Sequence, residues 1–318
     1  MNAEPHWRIA IIGAGAIGSA LGVRLASAGH DITLVIRNDQ RRQEISAHGL
    51  GGRALGGTVE RFPVHTTTRL DQDYDLVIVP VQRQQLDGLI PVLAANNSPR
   101  ILLALNNAGG TQAIDEQIGV ERVSWGFPAI IASITDDVVD YNVVPGYVQK
   151  TTFGRSDGRI TEEIRTIKTI FQQSGVPGVL TTQIDGWLKT HAAVLAPMVA
   201  AAFLPTRSGF GPLLGWSSAH RLASGIQTGL LAIKKTGAPI TPAPLRTLEL
   251  LPRPALTASI VMGFSTSPLK NLAIETLSSG ATESALLLQQ LAVLAGQAGL
   301  DPAPLTDLIA AIPTSATN

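Results

Sequence analysis

The feature that most constrains this 318-residue chain is a glycine-rich turn, Gly13-Ala14-Gly15-Ala16-Ile17-Gly18. It follows an apolar run, Ile9-Ala10-Ile11-Ile12, and opens a helically spaced segment from Ala16 to Ala28 that closes at Gly29. Alone, Gly-x-Gly-x-x-Gly is a weak signal. Between a buried strand and a helix, with a second strand at the right distance, it reads as a dinucleotide-binding turn. Gly13 permits the tight turn, Gly15 lets the backbone approach a pyrophosphate, and Gly18 lets the helix pack on the strand. The helix start offers unpaired N–H groups and a positive dipole end to the anion. Gly13, Gly15, Ala16, Ile17 and Gly18 are therefore expected cofactor contacts. A ligand-free strand-to-helix turn is the simpler alternative.

The rest of the first half repeats this alternation. Apolar runs at 8–12, 31–36, 75–79 and 100–105 read as buried strands. Segments 41–48, 83–95 and 111–118 read as helices, and 49–68 as short strands or a hairpin. Such alternation predicts a parallel, doubly wound sheet. A β-rich stretch at 138–154 and a helix at 161–173 follow. Beyond about 183 the pattern turns helical, at 184–204, 217–236, 243–262, 270–280 and 283–299. The expectation is an α/β protein with a Rossmann domain over 1–182 and an all-α domain over 183–318.

The end of the second strand selects the nucleotide. NAD sites place Asp or Glu there for the ribose hydroxyl, and NADP sites can place Arg there for the 2′-phosphate. This chain reads Ile36-Arg37-Asn38, with Arg41 and Arg42 one turn later. A guanidinium grips phosphate bidentately, so Arg37 points to NADP(H). The alternative is a solvated arginine, with Asn38 or Asp39 capping the next helix.

Composition excludes other classes. There is no cysteine, so disulfides and thiolate chemistry are out, and six scattered His offer no metal signature. Lys plus Arg and Asp plus Glu both number 24, which argues against a nucleic-acid partner. Charged residues are 15%, against roughly 25% in ordinary soluble proteins. That deficit suits surface buried between domains or in a homodimer. The longest apolar run, Ala192 to Leu204, contains Pro197 and is too short for a membrane span. Met1 to Arg8 lacks the basic and apolar regions of a signal peptide. A cytoplasmic protein acting on a small molecule is expected.

From end to end the chain resembles the ketopantoate reductase (2-dehydropantoate 2-reductase) family. The Gly-x-Gly-Ala-x-Gly turn and the Val35-Ile36-Arg37 strand ending are similar to the family's. Asn106-Asn107-Ala108-Gly109 stands where the family has Asn-Gly-x-Gly. Trp187-Leu188-Lys189 resembles the family's Trp-x-Lys, and Thr282-Glu283, with Gly299-Leu300-Asp301-Pro302 beyond it, its C-terminal Thr-Glu segment. The resemblance implies a helical domain like the C-terminal domain of 6-phosphogluconate dehydrogenase. It implies Lys189 and Glu283 as catalytic residues, and Asn106 as a contact of nicotinamide or substrate. Asn271 and Glu275 stand near the family's Ser and Asp and are expected substrate contacts. Gln82 stands in place of a family Lys and is an expected cofactor contact, and Ala193 and Pro197 replace two Asn.

The implied activity is NADPH-dependent reduction of a small 2-oxo acid. Lys189 would protonate or stabilise the developing alkoxide, and Glu283 would orient Lys189 or bond the substrate. His191, two residues from Lys189, is a weaker acid candidate. The departures predict poor turnover of ketopantoate itself, and the small residue at 193 predicts room for a bulkier substrate. A reductase of another carbonyl or imine, or an NADP(H) sensor without catalysis, are the alternatives.

Overall fold

A computed structural model describes residues 6–204, 215–264 and 280–313. The first strands are β1 (Arg8–Ile12), β2 (Asp31–Val35), β3 (Leu50–Ala54), β4 (Glu60–Phe62), β5 (His65–Thr67) and β6 (Leu76–Val79). They continue with β7 (Ile101–Ala104), β8 (Val123–Phe127), β9 (Ile130–Thr135), β10 (Val138–Val143), β11 (Thr151–Gly154) and β12 (Gly178–Thr181). Helices α1 (Ala16–Ser27), α2 (Asp39–His48), α3 (Arg83–Leu86), α4 (Ile90–Ala95), α5 (Gln112–Ile118) and α6 (Glu162–Gln173) alternate with them. Then come α7 (Ile184–Ala201), α8 (Trp216–Lys235), α9 (Arg246–Leu250), α10 (Arg253–Phe264), α11 (Ala281–Gln297) and α12 (Ala303–Ala311). Two units emerge: Met1–Leu105 with Gln112–Ile184, and Asn106–Thr111 with Asp185–Asn318.

The first unit is a Rossmann fold. Its main sheet has the order β12-β11-β8-β7-β6-β1-β2-β5. All pairs are parallel except β11 with β8. From β5 to β8 this is the doubly wound order, whose direction reverses between β1 and β6. The central strands β1, β6 and β7 are almost wholly apolar because helices cover both faces of such a sheet. Ile9, Ile11, Leu34, Leu76, Ile78 and Leu102 are at most 2% exposed in the core. A second sheet, β4-β3-β10-β9, packs beside α1, where a Cβ on Gly52 would lie 2.7 Å from the Val23 side chain.

The second unit is helical. Ala192, Ala196, Leu222, Ile226, Leu230, Leu287, Leu291 and Leu308 form its core. Small residues let its helices approach closely. A Cβ on Gly225 would meet Leu308 at 2.4 Å, and one on Gly229 would meet the Ala193 Cβ at 3.1 Å. Ala193 is thus fully buried in the crossing of α7 with α8. The expectation of substrate room at 193 is corrected here, because α8 occupies that space.

Other local expectations also shift. The helix read over 83–95 breaks into α3 and α4 around Gly88 and Pro91. The helix read over 243–262 breaks at Pro252, a poor helix-interior residue. The segment 270–280 lies outside the described residues, except Gly280. Among the described residues no helix is long and apolar enough to cross a membrane.

Candidate active site

In the first unit the glycine turn adopts the geometry its sequence requires. Gly13 has φ +98°, a left-handed conformation that side chains disfavour. Its N–H donates to the Val35 carbonyl at 2.9 Å, tying the turn to the end of β2. A Cβ on Gly18 would sit 2.2 Å from the Gly13 carbonyl oxygen and 3.3 Å from Pro80, so only glycine fits. A Cβ on Gly15 would meet nothing within 4 Å. The turn is therefore closed against the sheet at Gly18 and open at Gly15, as a pyrophosphate would need. Gly15 caps α1 without a side chain, and the first turn carries no acidic residue. Ala16 and Ile17 begin that helix and leave its amides open to an anion. These residues fit a dinucleotide.

Arg37 follows β2 and is exposed, with no hydrogen bond or ion pair to any described residue. Its neighbours are committed. Asn38 caps α2 by accepting from the Arg41 N–H at 2.9 Å, Arg41 pairs with Asp137, and Arg42 pairs with Asp39. Asn38 thus caps α2, and Arg37 is uncommitted among the described residues. Gln82 follows β6 and caps α3. Its N–H donates to the Gln85 side chain, and its Oε1 accepts from Gln84 at 2.7 Å. The side chain here serves its own turn, beside the Pro80 that abuts Gly18.

In the second unit the polar chemistry gathers around the loop Asn106–Thr111. Asn106 donates its side-chain amide to Glu283 Oε2 at 3.1 Å. Its Oδ1 is buried and meets no donor among the described residues. An orphaned buried carbonyl is costly and points to a donor beyond the described residues, such as a ligand group. Asn107 staples the loop internally, donating to the Gly110 carbonyl and accepting from the Gly109 N–H. Gln290, two turns beyond Glu283 on α11, accepts from the Ala108 N–H at 3.0 Å. A Cβ on Gly109 would stand 2.9 Å from the Gln290 Nε2, so a larger residue there would push the Gln290 side chain aside.

Lys189 lies on the second turn of α7, its side chain 14% exposed. Its Nζ donates to Asp185 Oδ2 at 2.5 Å. The other oxygen of that carboxylate accepts from the Thr111 N–H at 3.1 Å and from its hydroxyl at 3.4 Å. Lys189 and Glu283 thus attach to the two ends of one loop. The observed carboxylate partner of Lys189 is Asp185, and Glu283 is bonded to Asn106. Motif reasoning missed Asp185 and Gln290. The Asp-x-x-x-Lys spacing on a helix was the available signal for the first.

His191 is stacked on Trp187, with ring centroids 5.0 Å apart and planes 6° apart. Burial pushes its pKa down to about 4, so it is neutral at neutral pH and a poor proton donor. Asn271 and Glu275 lie outside the described residues. Among the described residues no cluster of His, Asp or Glu could hold a metal ion.

Residues 9–157 match the family model described as ketopantoate reductase PanE/ApbA. A glycerol-3-phosphate dehydrogenase [NAD(P)+] of Bradyrhizobium sp. is 27% identical over 237 residues, covering 70% of this chain and 71% of the relative. A 2-dehydropantoate 2-reductase of Archaeoglobus fulgidus is 24% identical over 189 residues, covering 59% of this chain and 61% of the relative. A solved complex of D-mandelate dehydrogenase with NADH superimposes with a TM-score of 0.73 at 16% identity, covering 97% of this chain and 98% of that one.

Proposed function

We propose that the chain is an oxidoreductase of the ketopantoate reductase family, whose model its residues 9–157 match, and that it reduces a small 2-oxo acid using NADPH. The observation that carries this reading is the polar loop of the second unit, which gathers Asn106, Glu283 and Lys189. A carbonyl reductase needs a cation or acid for the oxygen and polar groups that fix the substrate. Lys189 supplies the first. Its ammonium can hydrogen-bond the oxo oxygen, stabilise the alkoxide that forms and pass it a proton. Asn106 supplies the second: its amide is oriented by Glu283 and its buried Oδ1 can accept from a ligand N–H or O–H. The reduced nicotinamide, when bound, supplies the hydride.

Support for NADPH over NADH comes from Arg37, which is unpaired among the described residues at the end of β2, where no carboxylate stands. The glycine turn supports dinucleotide binding in either case. Support for an oxo acid comes from the family and from the cationic Lys189. Pro197 removes a side-chain amide of the family pattern, so ketopantoate is expected to rank below other 2-oxo acids.

The test is a cofactor-oxidation screen with purified protein. NADPH and NADH are each offered with pyruvate, 2-oxoisovalerate, ketopantoate, benzoylformate and dihydroxyacetone phosphate. The proposal expects NADPH to be preferred and a 2-oxo acid to give the highest kcat/KM. Dihydroxyacetone phosphate as the best substrate would contradict it, and so would no turnover with any 2-oxo acid.

A further inference from the structure

Lys189 does not stand alone on α7. Asp185 precedes it by one helical turn, and the acid-before-base order at that spacing is the favourable one. Asp185 also lies in the first turn of α7, where the helix dipole favours a negative charge. Its two oxygens do different work. Oδ2 takes the Lys189 ammonium at 2.5 Å, while Oδ1 takes the Thr111 N–H at 3.1 Å and its hydroxyl at 3.4 Å. Thr111 is the last residue of the loop that begins with Asn106. One carboxylate therefore connects the lysine to the loop that presents the Asn106 amide.

We propose that Asp185 is the positioning residue of this site, fixing the Lys189 ammonium relative to the Asn106–Thr111 loop. The proposal rests on the reading of Lys189 as the proton donor to a carbonyl. A lysine side chain has many rotamers, and an untethered ammonium spends little time at one place. A misplacement of about 1 Å can lower turnover on the order of a hundredfold. The tether keeps the ammonium against one oxygen of the Asp185 carboxylate. It is also short enough that the ammonium can turn a second N–H toward a substrate oxygen, since it carries three donors. Half-buried surroundings, with Asp185 and Lys189 31% and 14% exposed, limit the competition from water.

Asp185→Asn separates the two duties of the carboxylate. The amide keeps an oxygen for Thr111 but offers an N–H₂ group that cannot bind an ammonium. The experiment is a double-mutant cycle of Asp185→Asn and Lys189→Met, read as kcat and KM for the best 2-oxo acid. NADPH affinity and melting temperature are measured in parallel. We expect Asp185→Asn to lower kcat at least tenfold with NADPH affinity unchanged. In the Lys189→Met background the same change should alter kcat less than about twofold, because the tether has nothing left to hold. Wild-type kcat in Asp185→Asn, or an equal loss in both backgrounds, would overturn the proposal. Wild-type kcat in Lys189→Met would overturn the functional reading and the proposal with it. If Asp185→Asn fails to fold, Asp185→Glu reads the same position. It keeps the charge pair but moves the ammonium by about one methylene. A near-normal melting temperature with kcat reduced several-fold supports the proposal, and wild-type kcat overturns it.

Discussion

Asn106 donates its side-chain amide to Glu283 at 3.1 Å, although 177 positions of sequence separate them. The bond leaves the amide oxygen buried without a donor among the described residues. If that oxygen meets a ligand, Asn106→Ala should lower kcat/KM for the best 2-oxo acid about ten- to a hundredfold. Asn106→Asp should do worse, because it sets a second carboxylate against Glu283, and its melting temperature should fall as well. Steady-state kinetics with NADPH saturating, beside thermal melts, check both. Unchanged kcat/KM in Asn106→Ala would remove this residue from the site.

Cofactor choice rests on Arg37. Removing one charge-assisted phosphate contact costs about ten- to a hundredfold in affinity. Arg37→Ala should weaken NADPH binding by that factor and leave NADH nearly unchanged. Fluorescence titration of both cofactors measures it. Equal affinity of the unaltered protein for the two would show that Arg37 is only a surface residue.

The packing of Ala193 makes a third prediction. Restoring the family's amide by Ala193→Asn should not improve ketopantoate turnover. The Ala193 Cβ stands 3.1 Å from where a Gly229 Cβ would be, so the larger side chain overpacks the helix crossing and buries an amide. The expected cost is about 2–4 kcal/mol, and the melting temperature should drop by roughly 5–10 °C. A variant that melts normally and turns over ketopantoate faster would show that position 193 does reach the substrate.

His191 predicts how stability responds to acid. Burial lowers its pKa in the folded chain to about 4, below the ordinary value of 6.5. Between these values the unfolded chain binds more protons than the folded one, so stability rises with pH. The contribution is fully present above pH 6.5 and is lost as pH falls toward 4. It amounts to at most about 3 kcal/mol. His191→Phe keeps an aromatic ring on Trp187 and removes the titrating group. Its melting temperature should fall less than the unaltered protein's between pH 7 and pH 4.5. Parallel curves for the two proteins would contradict the assignment.

Much of the first unit was legible because a doubly wound sheet leaves a simple mark. β1, β6 and β7 are buried on both faces, so each reads as a nearly unbroken apolar run, and the glycine turn follows the first of them. β8 and β9 escaped notice because Gly126 and Pro128 interrupt their pattern. Gly126 is required there: a Cβ would lie 2.9 Å from the Phe153 ring. The helices of the second unit were legible by texture, and their breaks less so, since Pro252 and Gly88 act locally. At the site, Lys189, Glu283 and Asn106 were singled out through motifs. The bonds of Asp185 to Thr111 and of Gln290 to Ala108 were not legible, because they span 74 and 182 positions. Only tertiary structure creates such pairs.

The measurement that tests the central claim most directly is the turnover of Lys189→Ala on the best 2-oxo acid of the screen, with NADPH binding measured alongside. Lys189 is assigned to the carbonyl oxygen and not to the cofactor. The account therefore predicts a fall in kcat of about a hundredfold or more with NADPH affinity essentially unchanged. A variant that keeps most of its turnover would contradict the account, as would one that loses activity only because it no longer binds NADPH.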